Sequence, residues 1–526
     1  MTYINLIVMI AFLALFMVYQ KRALHIFQQN RYEFERYTKW LLNFKNYQFG
    51  DYFMFVALMA VFDFIAIKFL HNDSHLIVIL FIITYDIYLL YNESKKTYIK
   101  PLVYTPRVKR QVICLTILDL VIVSMMVYVF KVDYLVIGVL IAPLSWLLIY
   151  LMAIITLPIE NAIKKKYENE GRDIIDSMTS LKKIGITGSF GKTSTKNIIE
   201  NIMSDHFYTL MTPASYNTPM GITRTIREYL KPIHEVFICE MGADHVGDIE
   251  YLMNYVKPSI GVVTSIGPQH LNTFHSLDNI INEKMKMIEM LPSDGLGIIN
   301  IDNEYINNYQ IKNDVKVVSC GIKNQDADFV AYDIEYNVEG SSFKVNVNDE
   351  ICEFKTILLG EHNIMNILIG IAIAANLGIK NEEIIASVSR IKRIEHRLEL
   401  KKINGITFID NAFNSNPVGC KLSLDVLKMM NERRVIVTPG LIDLGAIEDK
   451  ANYEFGQYMK DRADYVLLVG KTQTKAIYKG LVDSDFNLEN VKVFDTVKEA
   501  FNYIYMNFNQ NDTILLENDL PDAFSR

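Results

Sequence analysis

The stretch Ile184-Gly185-Ile186-Thr187-Gly188-Ser189-Phe190-Gly191-Lys192-Thr193-Ser194-Thr195 joins a short apolar strand to the start of a helix through a glycine-rich loop. Glycines let the backbone N–H groups turn toward a phosphate, a lysine reaches the terminal phosphates, and the following hydroxyl can ligate Mg2+. The loop therefore reads as a nucleotide-phosphate site, with Thr187, Gly188, Ser189, Gly191, Lys192, Thr193 and Ser194 as the contacting residues. The general phosphate loop needs a glycine where this chain has Ile186, and Gly185 comes one residue early. The pattern present, Thr-Gly-x-x-Gly-Lys-Thr, defines a narrower class.

Downstream, apolar strands at residues 183–187, 235–239, 260–264 and 297–301 alternate with helical stretches such as 193–203 and 278–290. That alternation predicts a parallel sheet covered by helices on both faces. Residues 329–357 change to period-two alternation, as in Phe343-Lys344-Val345-Asn346-Val347, which predicts an antiparallel insert at the sheet edge. A helix is expected at 362–377, then a charged segment ending in Arg397. A second, smaller α/β unit begins near Thr407, with strands at 434–438, 465–469 and 513–516.

Upstream, the chain is of a different kind. Of its 526 residues half are hydrophobic, and most of the apolar content lies before about residue 160, in runs near the ~18 residues that suit a membrane span. Five spans are read, at 3–19, 52–70, 76–91, 112–130 and 134–158. The first lacks the basic start and small-residue cleavage site of a secretory signal, so it is taken as a retained helix. Lys21, Arg22, Arg31, Arg36, Lys39 and Lys45 follow the first span, and Lys95, Lys96, Lys100, Arg107, Lys109 and Arg110 lie between the third and fourth. Basic loops stay cytoplasmic, whereas the short connections 71–75 and 131–133 suit the outer face. The N-terminus is then outside, and everything after Pro158 is cytoplasmic, on the same side as ATP. The expected layout is a membrane domain at 1–159, a polar linker at 160–180, an ATP-binding domain at 181–393 and a C-terminal domain at 394–526.

The net charge of −7 and the lack of a basic-aromatic stripe argue against a nucleic-acid partner. Cys114, Cys239, Cys320, Cys352 and Cys420 show no paired spacing, which suits a reducing compartment. Asp63, Asp86 and Asp119 fall inside expected spans, where a carboxylate costs at least ~2.5 kcal/mol. They are either hydrogen-bond partners within the bundle or the lining of a polar path.

Glu240 ends the apolar run Val236-Phe237-Ile238-Cys239, and a carboxylate at a parallel strand's C-terminal end beside a phosphate loop suits a metal. His270 also follows a strand end and reads either as an incidental loop residue or as a ligand. Lys284, from its helix alone, is an ordinary lysine. Together with the phosphate loop, Glu240-Met241-Gly242, Gly267-Pro268-x-His270-Leu271, Lys284, Gly360-Glu361-His362-Asn363-x-x-Asn366, Arg397-Leu398-Glu399 and Ile409-Asp410-Asn411-Ala412-Phe413-Asn414-Ser415-Asn416-Pro417 resemble the Mur ligases over about residues 181–469, and within them the D-alanyl-D-alanine-adding branch.

The resemblance implies an ATP-dependent, ADP-forming amide ligase of cell-wall peptidoglycan synthesis. A substrate carboxylate is phosphorylated, an amine attacks the acyl phosphate, and phosphate leaves. It implies that Lys192 contacts the β/γ-phosphates, that Thr193 and Glu240 ligate one Mg2+, and that His270 binds a second with Lys284 carbamylated. Lys192, Glu240, His270 and Lys284 are thus the expected catalytic set. By the same resemblance Asn366 approaches the adenine, Arg397 the phosphates and Asp410 the ribose. His362 and Asn363 read equally as helix caps or as ligand contacts.

Two departures stand out. Membrane spans occupy the place of the family's UDP-sugar domain, so the expected acceptor is a membrane-associated cell-envelope precursor, a lipid-linked one being its specific form. The family's C-terminal Lys-Gly-Ser-Arg-like loop is replaced by Leu516-Glu517-Asn518-Asp519, so the amine is left as an amino acid or short peptide. The competing reading is an ATPase-driven transporter or signalling protein built on the five-span bundle.

Overall fold

The computed structural model describes residues 2–42, 61, 83–85, 87–92, 95, 101–132, 134–337, 340–394, 396–412, 417–430, 433–442, 444 and 447–518. The expected span 52–70 apart from residue 61, half of 76–91, Asp63, Asp86, residues 413–416 and residues 519–526 lie outside them. The chain divides into two compact units, residues 1–165 and 166–520.

In the first unit, helices Thr2–Gln29, Phe34–Leu42 and Pro106–Ser124 precede the start of a long helix, Tyr134–Ser177. Three stretches among the described residues are long and apolar enough to cross a membrane: Met9–Gln29, Pro106–Val129 and Pro143–Ser177. The helix Pro106–Ser124 begins where a helix should, with Pro106 in its first turn and the Thr105 hydroxyl accepting from the Val108 N–H. It buries Val108, Leu115 and Val123 while Ile113, Ile117 and Val121 face outward, so it is apolar on both sides. Asp119 is buried and accepts a 2.7 Å hydrogen bond from Gln20 Nε2 on Oδ1, while its Oδ2 has no partner among the described residues. Arg110 and Glu160 form a two-pronged pair at 2.7 Å.

The expected linker at 160–180 is helical as far as Ser177, continuing the last apolar helix through Pro143 and Pro158. The first helix likewise runs to Gln29 rather than ending near residue 19.

The second unit contains two sheets. The larger has the order β2-β3-β1-β4-β5-β6-β7-β8-β9, where β1 is Lys182–Thr187, β2 Thr209–Met211, β3 Val236–Glu240, β4 Ile260–Val263, β5 Leu296–Asn300, β6 Lys316–Gly321, β7 Phe329–Asn337, β8 Gly340–Val347 and β9 Glu350–Thr356. Pairing is parallel from β2 to β7 and antiparallel through β8 and β9, as the change of periodicity predicts. Successive residues of β3 serve opposite faces: Val236 and Ile238 join the core formed with helices Lys192–Met203 and Glu361–Asn376, and Phe237 and Cys239 join that of helices Asp248–Val256 and Leu277–Glu289.

The smaller sheet has the order β10-β11-β15-β12-β13-β14, where β10 is Glu399–Ile403, β11 Ile406–Asn411, β12 Arg434–Thr438, β13 Tyr465–Val469, β14 Val491–Phe494 and β15 Thr513–Glu517. Only β10–β11 is antiparallel, a hairpin turning at Asn404-Gly405 with both φ angles positive (51° and 87°), the arrangement that a tight hairpin favours.

Candidate active site

β1 lies between β3 and β4, so the loops leaving the C-terminal ends of these three strands converge. The phosphate loop is pinned to the segment after β4: Ser189 N–H donates to Ser265 O at 2.7 Å, Ser189 Oγ to Gly267 O at 2.9 Å, and Phe190 N–H to Ser265 Oγ at 3.2 Å. Thr187 Oγ1 donates to Met241 O at 3.0 Å, which ties β1 to the residue after Glu240. Gly191, at φ 84°, caps the helix Lys192–Met203, whose first N–H groups face the loop. Lys192 Nζ folds back onto Gly188 O (2.5 Å) and Ser189 O (3.3 Å). Burial lowers its pKa, with Glu240 opposing that shift.

Glu240 is buried at the end of β3. Its Oε1 accepts from Thr193 Oγ1 (3.2 Å) and from Asn217 Nδ2 (3.0 Å), and its N–H donates to Thr212 Oγ1 (3.1 Å). Lys196 Nζ lies 3.1 Å from Oε2. His270 takes a left-handed conformation (φ 54°) and places Nε2 3.3 Å from Asp244 Oδ1. Lys284 is fully buried, with its pKa lowered to about 7 by burial and by the neighbouring Lys192 charge; Asp244 and Glu283 oppose the shift. A buried amine half neutral near pH 7 is a nucleophile toward CO2.

Asn366 Oδ1 accepts from Thr195 Oγ1 at 2.9 Å, one turn beyond the loop, and its buried Nδ2 has no partner among the described residues. Arg397 is partly buried, desolvation lowers its pKa, and it feels the charges of both Glu240 and Glu517. Asp410, at the end of β11, accepts from His396 Nδ1 (2.8 Å), Lys401 Nζ (2.9 Å) and Ala412 N–H (3.2 Å). Burial raises its pKa, but these three donors outweigh that and the net direction is down. Thr193, Glu240 and Lys192 are therefore brought together, with Arg397 within electrostatic reach, while Asp410 sits in its own group with His396 and Lys401.

His362 and Asn363 do not cap their helix, because the cap position is Gly360, which has no side chain. Asn363 Nδ2 instead donates to Leu359 O at 2.8 Å. His362 is partly buried, with a pKa lowered to about 4 by desolvation and by Arg397, and its buried Nδ1 has no partner among the described residues. Lys196, Asn217, Asp244 and His396 are contributors that the motif reading passed over.

Residues 186–374 match the Mur ligase middle domain, and residues 396–517 match the Mur ligase, glutamate ligase domain. Over this region the chain belongs to the Mur ligase family. It is 27% identical over 338 residues to the UDP-N-acetylmuramoyl-tripeptide--D-alanyl-D-alanine ligase of Bacillus subtilis (strain 168), covering 64% of this chain and 72% of that one. To the enzyme of the same name from Escherichia coli (strain K12) it is 29% identical over 297 residues, covering 56% and 65%. Among solved structures, MurF from Acinetobacter baumannii superposes with TM-score 0.62 at 24% identity, covering 68% of this chain and 77% of that one. MurF ligase from Thermotoga maritima in complex with ADP gives 0.61 at 19%, covering 68% and 80%. These two establish the Mur ligase fold.

The donor set here fits the divalent ion that Mur ligases use. The Thr193 hydroxyl and the Glu240 carboxylate meet at 3.2 Å beside the phosphate loop, an all-oxygen pair that suits Mg2+ over a softer metal.

Proposed function

We propose that the protein is a membrane-embedded, ATP-dependent amide ligase acting at the cytoplasmic face on a cell-envelope, peptidoglycan-type precursor. Residues 181–393 would carry ATP and residues 394–526 would supply Arg397 and Asp410. The observation that supports this best is the convergence of Lys192, Thr193 and Glu240 at the ends of adjacent parallel strands. Phosphoryl transfer needs positioning and charge neutralisation rather than a protein nucleophile, and this cluster offers both.

In the reaction, a substrate carboxylate oxygen bonds to the γ-phosphorus as ADP leaves. The incoming amine nitrogen then bonds to the acyl carbon, sheds a proton, and phosphate departs. Lys192 leaves its resting contacts on Gly188 and Ser189 to meet the β/γ-oxygens. The N–H groups at the start of Lys192–Met203 hold the phosphates, and Arg397 adds positive charge from the C-terminal side. Asn366, with its free amide N–H, is suited to the adenine, and Asp410 to the ribose. Thr193, Glu240 and His270, with Lys284 as its carbamate, would hold Mg2+, which supplies neutralisation of phosphate charge. Lys284 is chemically suited to that modification because burial keeps part of it neutral near pH 7.

The relatives named above act on a UDP-N-acetylmuramoyl-tripeptide and D-alanyl-D-alanine. For this chain, the apolar helices ahead of the ATP-binding part support an acceptor presented at the bilayer, lipid-linked in its specific form, and an amino acid or short peptide as the amine. Lys192→Ala and Glu240→Ala should each abolish ADP formation that depends on both acceptor and amine. Unaffected turnover would refute the ligase reading, and ATP hydrolysis indifferent to any amine would favour a transporter.

A further inference from the structure

Lys196 follows Lys192 by one helical turn, and its side chain is only 1% exposed. A lysine is almost never fully buried unless paired. Its ammonium donates to Ala214 O at 2.6 Å and faces Glu240 Oε2 at 3.1 Å as an ion pair without hydrogen-bond geometry. The two oxygens of Glu240 are thereby divided. Oε2 belongs to Lys196, whereas Oε1 lies among neutral donors, Thr193 Oγ1 and Asn217 Nδ2. Ala214 itself is held at φ 42°, within the segment that also supplies Thr212 and Asn217 to Glu240.

We propose that Lys196 is a positioning residue for the metal site: a resident counter-cation that holds Glu240 by Oε2, presents Oε1 beside Thr193 for one-oxygen ligation, and fastens the 212–217 segment to that carboxylate. This rests on the reading of Thr193 and Glu240 as metal ligands. Without an ion, Lys196 is the cation in closest contact with Glu240 among the described residues, with the Lys192 and Arg397 charges acting on it from further away, and it offsets the cost of burying that carboxylate. With an ion bound, the same ammonium repels it across the carboxylate, which keeps affinity moderate and prevents two-oxygen capture.

The test uses the full-length protein in detergent, with Mn2+ binding followed by electron paramagnetic resonance in the presence of ADP and the melting temperature followed without metal. Lys196→Met should bind Mn2+ about tenfold more tightly, because a like charge has been removed, while its metal-free melting temperature falls. Lys196→Arg should restore both values toward wild type. Lys196→Gln keeps a donor for Ala214 O without the charge and should also show the tighter binding, so the result stands if the methionine variant does not fold. Glu240→Gln should lose the Mn2+ signal. If it keeps wild-type Mn2+ affinity, the metal-ligand reading fails. If it loses the signal while Lys196→Met and Lys196→Gln bind Mn2+ as wild type does, the role given to Lys196 is overturned.

Discussion

Gly188→Ala tests the architecture of the phosphate loop. Gly188 has φ 151°, and a Cβ there would lie 2.1 Å from Thr264 Oγ1, 3.0 Å from Ser265 O and 3.1 Å from Ser265 N. Thr264 can rotate away only by giving up its bonds to Phe190 O (2.5 Å) and Thr187 O (3.2 Å). The Ser265 backbone cannot rotate away, and it carries the Ser189 N–H bond that shapes the loop. Two weakened hydrogen bonds at about 0.5–1.5 kcal/mol each, with about 1–3 kcal/mol for the unfavourable backbone, sum to about 2–6 kcal/mol. Because the loop is the phosphate site, most of this should appear in nucleotide affinity, roughly a 100-fold loss at about 3 kcal/mol. The assay is calorimetric ADP binding to the full-length protein, with Gly378→Ala as control. Gly378 also has positive φ (80°), but a Cβ there meets nothing within 4 Å. The control should lose a little stability and no ADP affinity. Wild-type ADP binding by Gly188→Ala would refute the reasoning.

Asn366→Ala strips Thr195 Oγ1 of its buried partner, which should cost about 1–3 kcal/mol of stability and weaken ADP binding further, as equilibrium unfolding and calorimetry would register. Asp410→Asn removes the charge shared by His396 and Lys401, and should raise the KM for ATP and lower the melting temperature modestly, since the folded state favours the ionised carboxylate; an unaltered KM would count against the ribose role. Lys284, with its pKa lowered from an ordinary 10.5 to about 7, predicts a pH dependence. As pH falls between those values the unfolded chain takes up its proton first, so stability should fall and then level off below about 7. The neutral amine needed for carbamylation disappears over the lower end of that range, so incorporation of 13C-bicarbonate should decline through pH 7 and be absent in Lys284→Arg.

The central sheet was legible because its strands are short apolar runs ended by glycine or a polar residue, and the site residues sit where those runs stop. Strands that do not look apolar escaped: β10 is Glu399-Leu400-Lys401-Lys402-Ile403, an edge strand carrying three charges, and β2 has three residues. The apolar run stops at Pro158, but the polar segment after it is helix-compatible in sequence and the helix continues to Ser177. Lys192 could be read from its loop. Lys196 could not, since its partner Glu240 is distant in sequence and only the β1–β3 pairing brings the two together. Asp244 and His270 likewise meet only because β3 and β4 flank β1.

The account stands or falls on whether this protein makes an amide bond through an acyl phosphate. The direct measurement supplies the full-length protein, reconstituted in envelope lipids, with ATP, an amine and a tripeptide precursor whose terminal carboxylate carries 18O, offered in both UDP-linked and lipid-linked forms. The account predicts that one 18O per turnover appears in the released phosphate, that release requires both precursor and amine, and that the lipid-linked form is preferred. Phosphate released without label, or at the same rate with no amine present, would contradict it.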